Sequence, residues 1–215
     1  MGHSGTLDPL ASGLLIILLN KATKLSMYFQ SMDKHYTAKL KFGIVTDTWD
    51  IEGRIIKQKK IKDLNVNKIS KIVESFSGDF YQTPPIYSAK KIRGKPAYYY
   101  ARDQNNYNAD IKLKKEMVRI HKIDIISLEK DILTLNIVCS SGTYIRSLSF
   151  EIGEKLGCGA TLIELIRTKI GSYDLKNSVE LNDLEMIASG SDIKNYNGII
   201  EIKEINVQRG GSKIN

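Results

Sequence analysis

Over residues 36–42 the chain alternates without interruption, Tyr36, Ala38, Leu40 and Phe42 falling on one side and Thr37, Lys39 and Lys41 on the other. A two-residue period belongs to a strand with one face in a core and the other toward water. Gly43 closes the run, and after the turn-forming segment TDTWDIEG, residues 54–58 can return as a second strand. Residues 117–126 and 132–139 read as another strand pair joined at Glu129-Lys130-Asp131. Helical spacing occurs separately: Ile69, Ile72, Val73 and Phe76 mark an amphipathic helix stopped by Gly78, and Ile145, Leu148, Ile152 and Leu156 mark another closed by Gly157. Strands mixed with separate helices, and no regular βαβ series, point to an α+β fold. The longest apolar run, residues 14–19, falls well short of the roughly 18 residues of a membrane span and reads as a buried strand or the start of a helix.

Charge is unevenly distributed. The chain carries a net charge of +8, and residues 85–122 alone hold ten Lys or Arg against Asp103, Asp110 and Glu116. Tyr87, Tyr98, Tyr99, Tyr100 and Tyr107 lie among those cations. Interleaved cations and aromatics suit a surface that meets phosphates and stacks on bases, although a solvated lysine-rich face has the same composition. Pro84, Pro85, Gly94 and Pro96 break regular structure there, and the stretch to about Asp110 reads as a long surface loop. Cys139 and Cys158 lack zinc-site spacing, and His3, His35 and His121 are far apart, so neither a metal nor a disulfide is assigned. The sequence shows no basic segment followed by a long apolar one of the signal-peptide kind, which makes a cytoplasmic location the expectation.

The densest chemical signal is GHSGTLDPLASGLL, residues 2–15. Its glycines allow turns closed to other residues, and Asp8-Pro9 fixes a carboxylate at a non-helical position. An ordinary reading makes Asp8 the N-cap of a helix starting at Pro9. The segment lacks the Gly-Lys-Ser/Thr ending of a P-loop, and Ser4 is not in a G-x-S-x-G elbow.

GHSGTLDP followed by small residues and an apolar run resembles the signature of the TruB-type pseudouridine synthases, and the resemblance continues in order along the chain. KHYTAKLKFGIVTDTWDIEG (residues 34–53) is similar to the second motif of that family. QTPPIYSAKKIRGKPAYYYAR (82–102) resembles its RNA-gripping thumb loop, and CSSGTYIRSL (139–148) the motif carrying its active-site arginine. GCGATLIELIRT (157–168) resembles the motif that closes the pocket. Five long motifs in order are far more specific than any one of them.

The resemblance implies the pseudouridine synthase fold, a mixed and mostly antiparallel sheet flanked by helices and long RNA-binding loops. It implies isomerisation of a T-loop uridine in tRNA, position 55, without cofactor or metal, by a monomer. Carried over by position, it makes Asp8 the catalytic carboxylate, Arg146 its partner and Tyr36 the aromatic residue against the base. His3, Leu165 and Tyr144 would contact the everted nucleotide, and Lys90, Lys91, Arg93, Lys95 and Arg102 would hold the RNA backbone. Without the resemblance, Arg146 could equally be a surface ion pair and Tyr36 an ordinary core tyrosine.

The motifs leave a catalytic domain over residues 1–175 and an extension over 176–215. Family members normally open some tens of residues earlier with a Lys-Pro-x-Gly-x-Thr-Ser segment, so a strand is expected to be missing. They usually end in a small RNA-binding PUA domain, expected here to be absent or truncated. Ile166 stands where the family usually has the first of two arginines, which is expected to weaken one phosphate contact. Two alternatives stand beside this reading: a guide-RNA-dependent, dyskerin-type enzyme, which lacks the long thumb, and a non-catalytic tRNA-binding or tRNA-folding protein.

Overall fold

The structure, a computed structural model, describes residues 1–61, 63–88, 90–92, 94–102 and 113–180, together with positions 183 and 198. In chain order the elements are β1 (Gly2–His3), β2 (Ala11–Gly13), β3 (Ile17–Leu18), α1 (Ser26–Ser31), β4 (Lys34–Phe42), β5 (Ile44–Thr46), β6 (Ile55–Gln58), α2 (Val66–Glu74) and β7 (Gly78–Gln82). Then follow β8 (Lys91–Ile92), β9 (Lys95–Pro96), α3 (Ala97–Arg102), β10 (Glu116–Glu129), β11 (Ile132–Cys139), α4 (Ile145–Leu156), β12 (Ala160–Ile170) and β13 (Tyr173–Asp174).

A seven-stranded sheet runs β13-β12-β4-β11-β10-β7, with β2 added beside β12. Every pairing in it is antiparallel except β2 with β12. The expected alternation in β4 is observed: Ala38, Leu40 and Phe42 are buried, and the residues between them are half-buried. Those three side chains meet Leu133, Leu135 and Ile137 of β11 and the apolar stripes of α2 and α4 in one core. Helices therefore cover the face toward which even-numbered β4 residues point. Thr37, Lys39 and Lys41 face the other way and pair with Asn136, Glu164 and Asp131.

Helix α4 follows its sequence closely. Ile145, Leu148 and Ile152 are buried, and Gly157 takes the left-handed conformation (φ 79°) that caps the helix. Beyond the cap the chain folds so tightly over Gly153 that the N–H groups of Gly157, Cys158 and Gly159 all donate to its carbonyl. A Cβ on Gly153 would land on the backbone nitrogen of Ala160, the first residue of β12. Gly153→Ala is therefore expected to destabilise the protein by about 1–3 kcal/mol through overpacking. A denaturant midpoint equal to the wild type's would show that α4 and β12 can separate freely.

Three expectations need correction. The helix at Ile69 ends at Glu74 with Ser75 as its cap, and Gly78 instead opens β7 with φ 93°. Only Ile17–Leu18 of the apolar run forms a strand, and Leu15, Ile17 and Leu19 are exposed while Leu14 and Leu18 are buried. The long basic loop contains a short hairpin, β8 with β9, followed by α3.

Candidate active site

The segment GHSGTLDPLASGLL is held at both ends by hydrogen bonds its sequence supplies. Ser4 is fully buried, its N–H donating to the Ile16 carbonyl at 3.1 Å and its hydroxyl accepting from the Ile16 N–H at 3.1 Å. Gly13 lies against β12, where any Cβ would strike the backbone of Arg167, and its φ of 104° disfavours other residues as well. Arg167 completes the anchoring, its Nε donating to Leu14 O at 2.7 Å and its Nη2 to Gly5 O at 3.0 Å. Between these anchors the chain turns at Pro9-Leu10, with the Ala11 N–H donating to Asp8 O at 2.9 Å. No helix starts at Pro9, so Asp8 is not an N-cap.

The Asp8 side chain instead meets Arg146. Nε of Arg146 donates to Oδ2 at 2.8 Å and Nη2 to Oδ1 at 2.7 Å, the bidentate geometry that makes such pairs strong. Nη2 also donates to Tyr87 O at 3.1 Å and Nη1 to Thr48 O at 3.3 Å, and Nη1 lies 3.5 Å from Asp50 Oδ2. One guanidinium thus meets five oxygens from four residues. The side chains of Arg146 and Asp50 are each 5% exposed, but that of Asp8 is 31% exposed. The cation is sealed in and one carboxylate reaches solvent. Each Asp8 oxygen accepts a single bond from Arg146 and keeps a lone pair for something else.

Arg146 is fixed because the start of α4 is fixed. Gln82, buried at the end of β7, accepts from the Tyr144 N–H at 2.8 Å and donates to the Tyr144 carbonyl at 3.0 Å. Ser147 donates to Thr83 O at 2.7 Å. Asp50 is oriented by the Thr48 hydroxyl (2.7 Å) and the Glu52 N–H (3.1 Å), both on Oδ1, which leaves Oδ2 for Arg146. Trp49, with φ 64°, stacks on Phe150 of α4 at 4.5 Å and ties that turn to the same helix.

Tyr36 lies on the core face of β4, between its register partners Ile137 and Arg167. Burial pushes its phenol up to about 12, the Asp8 charge adds to the rise, and the Arg167 charge holds it back. The phenol therefore stays protonated across ordinary pH. Leu165, two residues before Arg167, is buried between Ala38 and Ala11. Tyr144 is half-buried two residues before Arg146. His3 is exposed on β1, and its Nδ1 accepts from the Gly5 N–H at 3.1 Å, so a neutral ring carries its hydrogen on Nε2.

Tyr87, whose carbonyl meets Arg146, leads directly into the basic segment. Lys90 is ion-paired with Glu116, and Lys95 is exposed with its Nζ 4.4 Å from the centre of the Tyr99 ring. Arg93 lies outside the described residues, and the side chains of Lys91 and Arg102 do as well. Both cysteine thiols are raised by burial, Cys139 to about 12, which makes them poor nucleophiles. Among the described residues no cluster of His, Cys, Asp or Glu could hold a metal ion, and no helix is long and apolar enough to cross a membrane.

Asp50, Gln82 and Arg167 were not singled out in the sequence. Asp50 had a visible signal, since TDTWD places two carboxylates and two hydroxyls in one turn. Gln82 had none.

Comparison with known proteins extends the similarity over most of the chain. The family model for the TruB family pseudouridylate synthase N-terminal domain matches residues 1–145, and that for the tRNA pseudouridylate synthase B C-terminal domain matches 146–196. The tRNA pseudouridine synthase B of Endomicrobium trichonymphae is 41% identical over 86% of this chain and 78% of its own length. Those of Clostridium tetani and Nitrosococcus oceani are 39% and 41% identical over 86% and 87% of the chain. Of these last two relatives the chain spans only 62% and 59%. Among solved structures, a Cbf5-Nop10-Gar1 complex matches with a TM-score of 0.62 at 27% identity, over 85% of this chain and 44% of the other. An H/ACA RNP bound to a substrate RNA containing 2′-deoxyuridine matches in fold with a TM-score of 0.63 at 24% identity, over 92% and 49%. The motif order, the two consecutive family matches and the shared fold agree: this chain belongs to the TruB family of pseudouridylate synthases.

Proposed function

We propose that this chain converts a uridine in the T-loop of tRNA, position 55, to pseudouridine, with Asp8 as the essential carboxylate. The observation that carries the reading is the Asp8–Arg146 pair, in which a sealed guanidinium holds a solvent-reaching carboxylate through both oxygens. The reaction breaks the N1–C1′ bond, turns the detached uracil and joins C5 to C1′, with the C5 hydrogen moving to N1. No atom is lost and no oxidation state changes overall.

A carboxylate beside the ribose serves this chemistry in two ways. It attacks C1′ as the base departs, or it removes the C2′ proton to give a glycal. Either role needs a carboxylate oxygen with a lone pair to spare, which the bidentate contact with Arg146 leaves on both oxygens. Tyr36, protonated and adjacent, stacks on the base and can relay the C5 proton. The nucleotide must first leave its folded loop, at a cost of a few kcal/mol. Lys90, Lys91, Arg93, Lys95 and Arg102 offset that cost by holding the RNA backbone, with Lys95 the exposed cation of that set among the described side chains.

The direct test is incubation with an unmodified tRNA transcript and mapping of pseudouridine by position. Product at the T-loop uridine alone is expected, and no product anywhere would sink the reading. The stand-alone form is favoured over the guide-RNA-dependent one by the basic segment that follows Tyr87. If six to ten phosphates are contacted, affinity for tRNA should fall about 10³- to 10⁵-fold between roughly 50 and 200 mM salt. A flat response in a filter-binding titration would remove the basic segment from the interface.

A further inference from the structure

Arg167 is the largest fully buried side chain among the described residues, and none of the ion pairs found there includes it. A buried cation without a carboxylate is a costly way to fill a position that an apolar residue of similar volume would fill at less expense of desolvation. What distinguishes this residue is therefore where its donors go. Two reach backbone carbonyls of the segment that carries Asp8, one on either side of it: Gly5 O at 3.0 Å and Leu14 O at 2.7 Å. The Arg167 carbonyl closes the arrangement by accepting from the Leu14 N–H at 2.8 Å.

The same residue is the cross-strand partner of Tyr36, so the two side chains emerge on one face of the sheet, and the guanidinium charge opposes the burial that raises the phenol. Asp8 and Tyr36 come from distant parts of the sequence, and this one planar fork grips the loop of the first beside the ring of the second.

We propose, resting on the function argued above, that Arg167 is a positioning residue: it ties the Asp8 loop to β12 beside the Tyr36 ring, so that the carboxylate and the phenol are held in a single frame. Its effect is on geometry in the reacting complex, where a displacement near 1 Å lowers rate about a hundredfold. It need not touch the RNA.

The test uses Arg167→Lys, which keeps the charge but replaces the fork with a point donor unable to reach both Gly5 O and Leu14 O in the present geometry. Turnover of a saturating tRNA transcript should fall about 10- to 100-fold while KM changes less than about threefold, since the lost interaction matters only at the reacting geometry. Combined with Tyr36→Phe, the loss should be smaller than the product of the two single losses. An arm independent of turnover labels tyrosine at Cζ, identifies the Tyr36 resonance by its absence in Tyr36→Phe, and asks whether Arg167→Lys shifts it. Unchanged turnover, a KM increase that accounts for the whole loss, or an unmoved Tyr36 resonance each overturns the proposal. Failure of the wild-type chain to form pseudouridine removes the functional reading instead, and the resonance then decides the Arg167–Tyr36 link alone.

Discussion

Asp8→Asn is expected to lower pseudouridine formation at least about 10³-fold while leaving tRNA affinity within about threefold, because the lost group acts on the reacting sugar and not on RNA binding. The substitution changes almost no volume. It removes the charge that stabilises or attacks C1′, and it turns one of the two acceptors facing Arg146 into a donor. Two donors then oppose each other at 2.7–2.8 Å, the present lengths of the two bonds, so the amide must also rotate or withdraw. Single-turnover assays with excess enzyme separate this from a binding defect. Residual turnover within tenfold of the wild type would take Asp8 out of the chemistry and favour a protein that grips tRNA without modifying it.

Arg146→Leu should damage stability and activity together. The guanidinium stands between two carboxylates, and removing it leaves Asp50, whose side chain is 5% exposed, with no counter-charge in the interior. Breaking a buried pair in this way costs about 3–5 kcal/mol, mostly as the penalty of the abandoned charge. The carbonyls of Thr48 and Tyr87 lose a donor as well. Arg146→Lys should recover much of the stability but not the forked contact with Asp8, so turnover should remain at least about a hundredfold down. Urea denaturation read beside turnover distinguishes the two variants. A leucine variant as stable as the wild type would mean that Asp50 finds another partner or takes up a proton at little cost.

The parts of the fold legible in advance were those whose physics is local. The alternation in β4, the Glu129-Lys130-Asp131 turn and the stripe of α4 with its Gly157 cap each need only a few residues to declare themselves. Strand β12 did not declare itself. Its register against β4 shifts twice, between Leu162 and Glu164 and between Arg167 and Lys169, so its inward residues do not keep one parity. The run at residues 14–19 misled in part, because apolar composition does not fix burial: Leu14 and Leu18 are buried, but Leu15, Ile17 and Leu19 face outward. Within the site, Asp8 and Arg146 were found because their motifs are distinctive. Asp50, Gln82 and Arg167 were not, because a buried polar side chain is defined by what surrounds it, and a single sequence does not display those neighbours.

The contacts that build the site are also far apart along the chain. Asp8 meets Arg146 across 138 positions, and Gly5 meets Arg167 across 162. Loop closures of that span come late in folding and only after most local structure has formed. A nascent polypeptide emerging from the ribosome therefore carries Asp8 long before Arg146 and Arg167 have been made to hold it. A chain still lacking α4 and β12 has neither guanidinium, and so offers nucleic acid no assembled reactive centre.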